Sequence, residues 1–182
     1  MNLTRCGLLG ICLLLGGLAV ADERPPHTAT GITPPKGVLP VTGRETPPLV
    51  LEDIDGQRFD LGEQRGQWVF VHFWASWCGP CRREIPAIQR MVEKMQGERL
   101  ALAIVNTAES EDTVFTFLGM LGPDLVPLMD RDGLVTEAWQ PRGLPATYLV
   151  DPGGVIRFQV LGGQEWDNAA YLGFLKAIIA GR

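Results

Sequence analysis

The sequence contains few of the residues from which metal, cofactor and nucleic-acid sites are built. Its 182 residues include two histidines and four cysteines, too few and too scattered for a structural zinc site with four ligands. It has no internal repeat, no glycine-rich phosphate-binding fingerprint and no block of Lys and Arg, and its formal net charge is -5. These absences argue against a nucleotide cofactor, a structural zinc centre and a nucleic-acid partner.

The first 21 residues are predicted to be a secretory signal peptide. A single basic residue, Arg5, precedes an apolar run over residues 7–20, and small residues lead to Ala21. The run is too short to be a comfortable membrane span. Cleavage after Ala21 would release a soluble protein into the periplasm or another extracytoplasmic space.

Two alternatives to this cleavage remain open. Cys12 lies in a segment that resembles a lipoprotein signal, although Ile11 is bulky where a small residue is normally needed. An uncleaved segment could instead anchor the protein to the inner membrane. In all three cases the folded part lies outside the cytoplasm. Cleavage after Ala21 leaves Cys78 and Cys81 as the only cysteines.

The rest of the chain is predicted to consist of a spacer and one folded domain. Residues 22–48 are rich in Pro, Thr and Gly and poor in large apolar residues, which is typical of an extended, mobile linker. The domain should comprise residues 49–182 and begin with a β-hairpin around Asp55-Gly56. Its length and apolar content are sufficient for one core.

Apolar patterns within the domain predict alternating strands and helices. Residues 68–74 form an almost continuous apolar run, which is typical of a strand covered on both faces. The other predicted elements are a helix over residues 81–95, a strand over 100–105, a helix beginning at Ser110, a short helix over 134–139, strands over 146–150 and 155–161, and a helix over 166–179. This order predicts an α/β fold with a mixed central sheet flanked by helices.

Cys78 and Cys81 can be interpreted as a structural staple, a metal clip or a redox pair. A disulfide across two residues closes a very small loop, so its effect on the unfolded chain is small. Two thiolates could bind copper(I), whereas a structural zinc ion would need two further ligands. Only the redox interpretation also explains the neighbouring residues.

The position of the first cysteine favours redox chemistry. Cys78 comes at the end of the predicted buried strand, where Gly79-Pro80 leads into a helix. Free backbone N–H groups and the helix dipole stabilise a thiolate there, and the thiolate is the attacking species in thiol–disulfide exchange. Cys81, one turn later, is placed to resolve a mixed disulfide formed on Cys78.

Several motifs together resemble the extracytoplasmic TlpA, ResA and CcmG group of the thioredoxin family. They are Trp77-Cys78-Gly79-Pro80-Cys81 after a buried strand, Pro86 in the next helix, CRREIP, VNTAES and LPATYLVDPGGVI. The resemblance covers residues 49–179 and implies a thioredoxin-like fold with an N-terminal β-hairpin extension. It also implies a thiol–disulfide oxidoreductase whose only redox group is the Cys78–Cys81 disulfide, and we expect a monomer.

The resemblance assigns roles to particular residues. Cys78 should be the nucleophile, partly exposed, and Cys81 the more buried resolving cysteine. The residues expected to contact a client protein are Trp77, Gly79, Pro80, Leu144 and Pro145. Pro145 should follow a cis peptide bond and lie beside the Cys78 sulfur, as in the cis-proline loop of the family. The backbone of Leu144 would then be available to pair with an extended client segment.

The chain departs from cytoplasmic thioredoxins at His72, where those proteins carry a buried aspartate. We expect His72 to pack as a neutral core residue, because burial disfavours the charged imidazole. Glu84, one turn beyond Cys81 and facing the sulfurs, should have a raised pKa and exchange protons with Cys81. The alternative is a solvated Glu84 paired with an arginine such as Arg83.

The group implies a reductant that works in an oxidising compartment. Its clients would be disulfides of proteins in cytochrome c maturation or copper-site assembly. A membrane reductase of the DsbD or CcdA type would supply the electrons. The pair Gly79-Pro80 resembles that of reducing thioredoxins. Two alternatives use the same cysteines: a net disulfide oxidant or isomerase, and a copper(I) metallochaperone.

Overall fold

The computed structural model describes residues 32–181, so the predicted signal peptide and the first part of the predicted spacer lie outside the described residues. Eight strands are β1 (Val38–Glu45), β2 (Val50–Glu52), β3 (Arg58–Asp60), β4 (Trp68–Trp74), β5 (Leu100–Thr107), β6 (Pro127–Asp130), β7 (Ala146–Val150) and β8 (Val155–Leu161). The α-helices are α1 (Gly79–Lys94), α2 (Glu111–Leu121), α3 (Leu134–Trp139) and α4 (Ala169–Gly181). Within this part of the chain, no helix has the length and hydrophobicity needed to span a membrane.

A six-stranded mixed sheet forms the centre of the fold. Its strand order is β1-β8-β7-β4-β5-β6. β4 pairs in parallel with β5 and antiparallel with β7, and β6 extends the parallel side. β2 and β3 form a separate two-stranded hairpin. The predicted mixed sheet, its flanking helices and the N-terminal hairpin are confirmed.

Strand β4 separates the two halves of the hydrophobic core. All seven of its residues are buried, and successive side chains point to opposite faces of the sheet. Phe70 and Trp74 pack in one cluster with residues of α1, α2 and α4. Val69, Val71 and Phe73 pack on the other face with Trp139 of α3. His72 therefore points to the same face as Phe70 and Trp74, the face covered by α1.

Helix α1 begins directly after the short turn that follows β4. Cys78 is its N-cap, with its backbone in the extended region, and Pro80 lies in the first turn, where a proline has no N–H to leave unpaired. Ile85, Ile88 and Met91 form the buried stripe that holds the helix against the sheet. The helix begins two residues earlier than the sequence predicts, and the cysteines lie at its amino end.

The folded part of the chain begins earlier than predicted. Residues 38–45 belong to the predicted spacer, but they form β1, which pairs antiparallel with β8 along the edge of the sheet. Val38 is buried opposite Val160. The spacer assignment is therefore wrong for this segment. An edge strand pairs with only one neighbouring strand and needs only one buried face. Its composition can therefore be as polar as that of a linker.

Two other elements differ from the sequence-based expectation. β6 was not predicted, because its four residues are all buried and follow Gly122-Pro123 without any visible alternation. α4 begins at Ala169 instead of residue 166, and its buried residues are Phe174, Leu175, Ile178 and Ile179. The first difference adds an edge strand to the sheet and the second shifts the start of a helix, and the mixed sheet with flanking helices is unchanged.

The correction at β1 can be tested by replacing Val38 with alanine. Removal of two buried methyl groups from the contact with β8 should lower the free energy of unfolding by about 1–2 kcal/mol. Leu39→Ala is the matched control, because Leu39 is the next residue of the strand and is 56% exposed. That change should cost less than about 0.5 kcal/mol. Urea unfolding of the oxidised protein measures both variants, and equal effects would mean that β1 is not packed on the sheet.

Candidate active site

The two cysteines form a disulfide at the amino end of α1. Their Cα atoms are 5.2 Å apart. The Cys78 Sγ accepts a hydrogen bond from the backbone N–H of Cys81 at 3.2 Å. Cys78 retains 5% of its surface exposed and Cys81 none. Cys81 is the more buried of the two, as predicted, but the prediction that Cys78 is partly exposed is wrong, since both cysteines are buried.

This geometry favours attack at the first sulfur. The Cys78 Sγ faces the unpaired N–H groups and the positive dipole of α1, which stabilise a thiolate after reduction. Because Cys81 lies inside the first turn and is fully buried, an external disulfide can approach only Cys78. The arrangement suits a nucleophile and a resolving cysteine in that order.

Glu109 fixes the segment that leads into the cysteines. Its carboxylate accepts the backbone N–H of Ser76 at 2.7 Å and the Ser76 hydroxyl. It also accepts the side-chain amide of Asn106, which is fully buried, at 2.7 Å. Glu109 belongs to the motif VNTAES, and its role was not predicted from the sequence. The motif itself was the available signal, since it places Asn106 at the end of β5 and Glu109 two residues after the strand.

The predicted client-binding residues lie on two segments, the amino end of α1 with the residue before Cys78 and the loop before β7. The Leu144–Pro145 peptide bond is cis, as predicted. Gly162 donates its N–H to the Pro145 carbonyl at 3.0 Å. A Cβ on Gly163 would lie 3.3 Å from the Pro80 carbonyl, so the loop after β8 contacts both the proline loop and the turn between the cysteines.

Trp77 is the most prominent apolar surface near the disulfide. Its side chain is 69% exposed, although it directly precedes the buried Cys78. Leu144 is half-buried and packs against both core clusters. The exposure of Trp77 argues against a packing role and leaves an apolar ring available to a partner protein.

The carboxyl group of Glu84 is buried and held by two fixed donors. Its Oε1 accepts the backbone N–H of Gln164 at 3.0 Å and the indole N–H of Trp166. Burial raises the pKa of Glu84 to about 7, while the two N–H donors act in the opposite direction. The alternative of a solvated Glu84 paired with Arg83 is wrong, since only 2% of Glu84 is exposed. Sequence reasoning missed Gln164 and Trp166, which lie some 80 residues further along the chain.

His72 packs as a neutral residue below the site, as expected. It is fully buried, stacks on Phe70 and has its Nδ1 2.9 Å from the Thr147 hydroxyl oxygen. Burial lowers the pKa of His72 to about 3. Its Nε2 lies 3.9 Å from Oε2 of Glu84. Neither atom has a hydrogen-bond partner within residues 32–181.

Metal-binding side chains are not clustered in the described part of the chain. Between residues 32 and 181, no group of three or more His, Cys, Asp or Glu side chains is arranged to hold a metal ion. The His72–Glu84 pair supplies two such side chains. Two ligands are fewer than a structural or catalytic zinc site takes from its protein.

The sequence around this site matches known oxidoreductases. Residues 42–159 match the AhpC/TSA family. Thiol-disulfide oxidoreductase ResA of Bacillus subtilis is 32% identical over 114 residues, which are 63% of this chain and 64% of that protein. ResA of Geobacillus thermodenitrificans is 32% identical over 66% of this chain and 69% of that protein. The chain belongs to the ResA-like members of the AhpC/TSA family.

A solved structure supports the same assignment of this ResA-like protein. A Chlorobium tepidum crystal structure, described as a candidate thiol:disulfide interchange protein DsbE, is 26% identical and superposes with a TM-score of 0.68. The match covers 78% of this chain and 99% of that one. The thioredoxin-like fold, the resemblance to the TlpA, ResA and CcmG group, and the enzyme class of thiol–disulfide oxidoreductase are confirmed. The alignment spans just under two thirds of Bacillus subtilis ResA.

The raised pKa of Glu84 predicts how stability depends on pH. A carboxyl group with a pKa of about 7 in the folded protein and 4.5 as its ordinary value binds its proton more tightly when folded. This contribution is fully present below about pH 4.5 and is lost as the pH rises through 7. The free energy of unfolding of the oxidised protein should therefore fall by about 3 kcal/mol over this interval.

Replacement of Glu84 by glutamine should remove this pH dependence. Urea unfolding at a series of pH values between about 4 and 8 measures the slope in both proteins. Glu93→Gln is the control, because Glu93 is an exposed acidic residue on the same helix. Its slope should equal that of the parent protein. A parent-like slope in the Glu84→Gln variant would show that another group carries the proton.

Proposed function

We propose that this protein is an extracytoplasmic dithiol reductant of disulfides in client proteins. The observation that carries the proposal is the placement of the two sulfurs on α1. Cys78 caps the helix and keeps a narrow opening to solvent, whereas Cys81 is fully buried behind it. A reactive first thiol and a protected second thiol are what an enzyme needs to open a disulfide and then release its client.

The reaction begins with the reduced protein. The Cys78 thiolate attacks one sulfur of the client disulfide, forms a mixed disulfide and releases the other client sulfur as a thiolate. The Cys81 thiolate then attacks the Cys78 sulfur and releases the second client sulfur. The client gains two electrons, and the protein is left with the Cys78–Cys81 disulfide that the structure contains.

Glu84 supplies the acid–base step in this proposal. Cys81 must lose its thiol proton before it attacks, and Glu84 lies one helical turn after it on α1. A carboxyl group with a pKa of about 7 is half-ionised near neutral pH. It can therefore accept a proton from Cys81 and return it to solvent in the same pH range.

The client is bound by the surface around Cys78. Trp77 offers an exposed apolar ring, and Gly79-Pro80 forms the turn beside it. Leu144 and Pro145 lie before β7 and are tied to the same region through the Gly162 hydrogen bond. An extended client segment could pair with the Leu144 backbone, as in other cases of strand addition.

The direction of the reaction and its partners are inferred from the ResA-like family. The Gly79-Pro80 pair and the family resemblance support net reduction, with electrons from a membrane reductase of the DsbD or CcdA type. The client class would be a protein of cytochrome c maturation or of copper-site assembly. The predicted signal or anchor over residues 1–21 supports a site of action outside the cytoplasm. The protein is proposed to work as a monomer.

The Cys81→Ser variant tests the order of the cysteines. The reduced variant should form a stable mixed disulfide through Cys78, because no second thiol remains to release the client. Mass spectrometry after peptide digestion identifies the modified cysteine. Cys78→Ser is the matched control and should trap far less client, since Cys81 is buried. Preferential trapping on Cys81 would reverse the proposed roles.

The reduction potential tests the direction. Equilibration with glutathione should give a potential close to that of thioredoxin, about -270 mV. A reductant poised at this level can reduce insulin when a dithiol donor regenerates it. A potential near about -120 mV, typical of a strong periplasmic oxidant, would contradict the proposal. So would stoichiometric copper(I) capture by a protein that transfers no electrons to disulfides.

A further inference from the structure

The two oxygens of the Glu84 carboxyl group have different surroundings. Oε1 accepts hydrogen bonds from the Gln164 backbone and the Trp166 indole, so both of its lone pairs are occupied. Oε2 is buried and has no hydrogen-bond partner within residues 32–181. When the carboxyl group takes up a proton, that proton therefore resides on Oε2.

The group that faces Oε2 is the imidazole of His72. Its Nε2 lies 3.9 Å away, and it too has no partner within the described chain. This separation is about 1 Å longer than an ordinary hydrogen bond between nitrogen and oxygen. Two buried polar atoms without partners are costly, and here they lie 3.9 Å apart.

We propose that His72 is a positioning residue that reverses its hydrogen-bond polarity as Glu84 gains or loses its proton. A neutral imidazole has one N–H donor and one acceptor nitrogen, and a threonine hydroxyl can donate or accept. The chain of groups from Thr147 through His72 to Glu84 can therefore run in either direction. The inference rests on the proposed function, because it describes how Glu84 is held while it exchanges protons.

The two directions of the chain correspond to the two states of Glu84. When Glu84 is ionised, His72 carries its proton on Nε2 and donates to Oε2, and the Thr147 hydroxyl donates to Nδ1. When Glu84 is protonated, its O–H donates to Nε2, and His72 carries its proton on Nδ1 and donates to Thr147. The imidazole holds one proton in both states, so the single proton taken up from solvent resides on Glu84.

Among the basic side chains of residues 32–181, His72 is the one that forms an ion-pair contact with the Glu84 carboxyl group. Gln164 and Trp166 face Oε1 and are fixed donors. Tyr171 of α4 packs on Trp166 and has its pKa raised by burial and by the carboxylates of Glu165 and Glu84, so it stays neutral near pH 7. Cys81 is held in the disulfide in this structure. The remaining titratable neighbour of Oε2 is His72.

Imidazole nitrogen shifts measured by NMR distinguish the two tautomers directly. The His27→Ala variant of the untagged, oxidised chain has His72 as its only histidine. As the pH rises through the titration of Glu84, the N–H should move from Nδ1 to Nε2. In Glu84→Gln, the N–H should stay on Nδ1 at every pH, because the glutamine amide faces Nε2 only as a donor.

Two outcomes of this titration would overturn the inference. One is a single tautomer across the titration of Glu84 in the parent protein. The other is an imidazole protonated on both nitrogens near neutral pH. The measurement needs no client and no electron donor. A protein that shows the tautomer change but fails to reduce disulfides would contradict the proposed function and leave this inference intact.

Two substitutions separate positioning from packing. In His72→Gln, the side-chain amide reaches the position of Nε2 and can donate or accept after rotation. In His72→Asn, the amide reaches only the position of Nδ1, so Oε2 of Glu84 has no hydrogen-bond partner. In His72→Asn, the midpoint pH of Glu84 protonation should rise by about one unit, because the carboxylate loses the N–H donor at Nε2. In His72→Gln, the midpoint pH of Glu84 protonation should stay within about 0.3 unit of its value in the parent protein. The midpoint is measured by NMR from the carboxyl carbon of Glu84. Equal changes of the midpoint in both variants would mean that His72 has only a packing role.

Discussion

Strand β4 is covered on both faces, and its backbone hydrogen bonds go only to β5 and β7. Because of this constraint, the chain can leave the sheet only at the carboxyl end of the strand, after Trp74. The turn over residues 75–77 then leads into α1, whose buried stripe packs back on the same strand. Because both elements are fixed, the amino end of α1 has a defined position, and Cys78 is held there as its cap.

The same constraint creates the electrostatics of the site. His72 is the one polar side chain of β4, and the alternation of the strand directs it under α1. Glu84, from the helix above, enters the same dry region. Burial and the two N–H donors act on its carboxyl group in opposite directions, and burial is the larger effect. A carboxyl group that stays protonated up to about pH 7 is the consequence.

The sequence alone was sufficient for the centre of the fold and insufficient for its margins. β4 and α1 have strong local patterns, because one is buried on both faces and the other on a single stripe. β1 at one edge has mostly exposed side chains and contains Pro40 and Gly43, so its pattern resembles a linker. β6 at the other edge is only four residues long.

The candidate site, like the fold, could be predicted from the sequence only in part. The cysteines and Glu84 follow from a short motif on one helix, whereas the groups that surround the Glu84 carboxyl group come from distant segments. His72 belongs to β4, and Gln164 and Trp166 belong to the loop before α4. No pattern within a short window indicates that a carboxyl group will meet an indole 82 residues away. Only the packing of the whole sheet brings them together.

The loop at Gly163 lies close to the carboxyl group that we propose exchanges protons with Cys81. Gly163 is exposed, and a Cβ at this position would lie 3.8 Å from Oε2 of Glu84 and 3.3 Å from the Pro80 carbonyl. A larger residue would have to push the loop away from α1 or add a further layer over the carboxyl group. Glu84 is thus buried enough for a raised pKa, and the exposed residue beside its Oε2 is the smallest available.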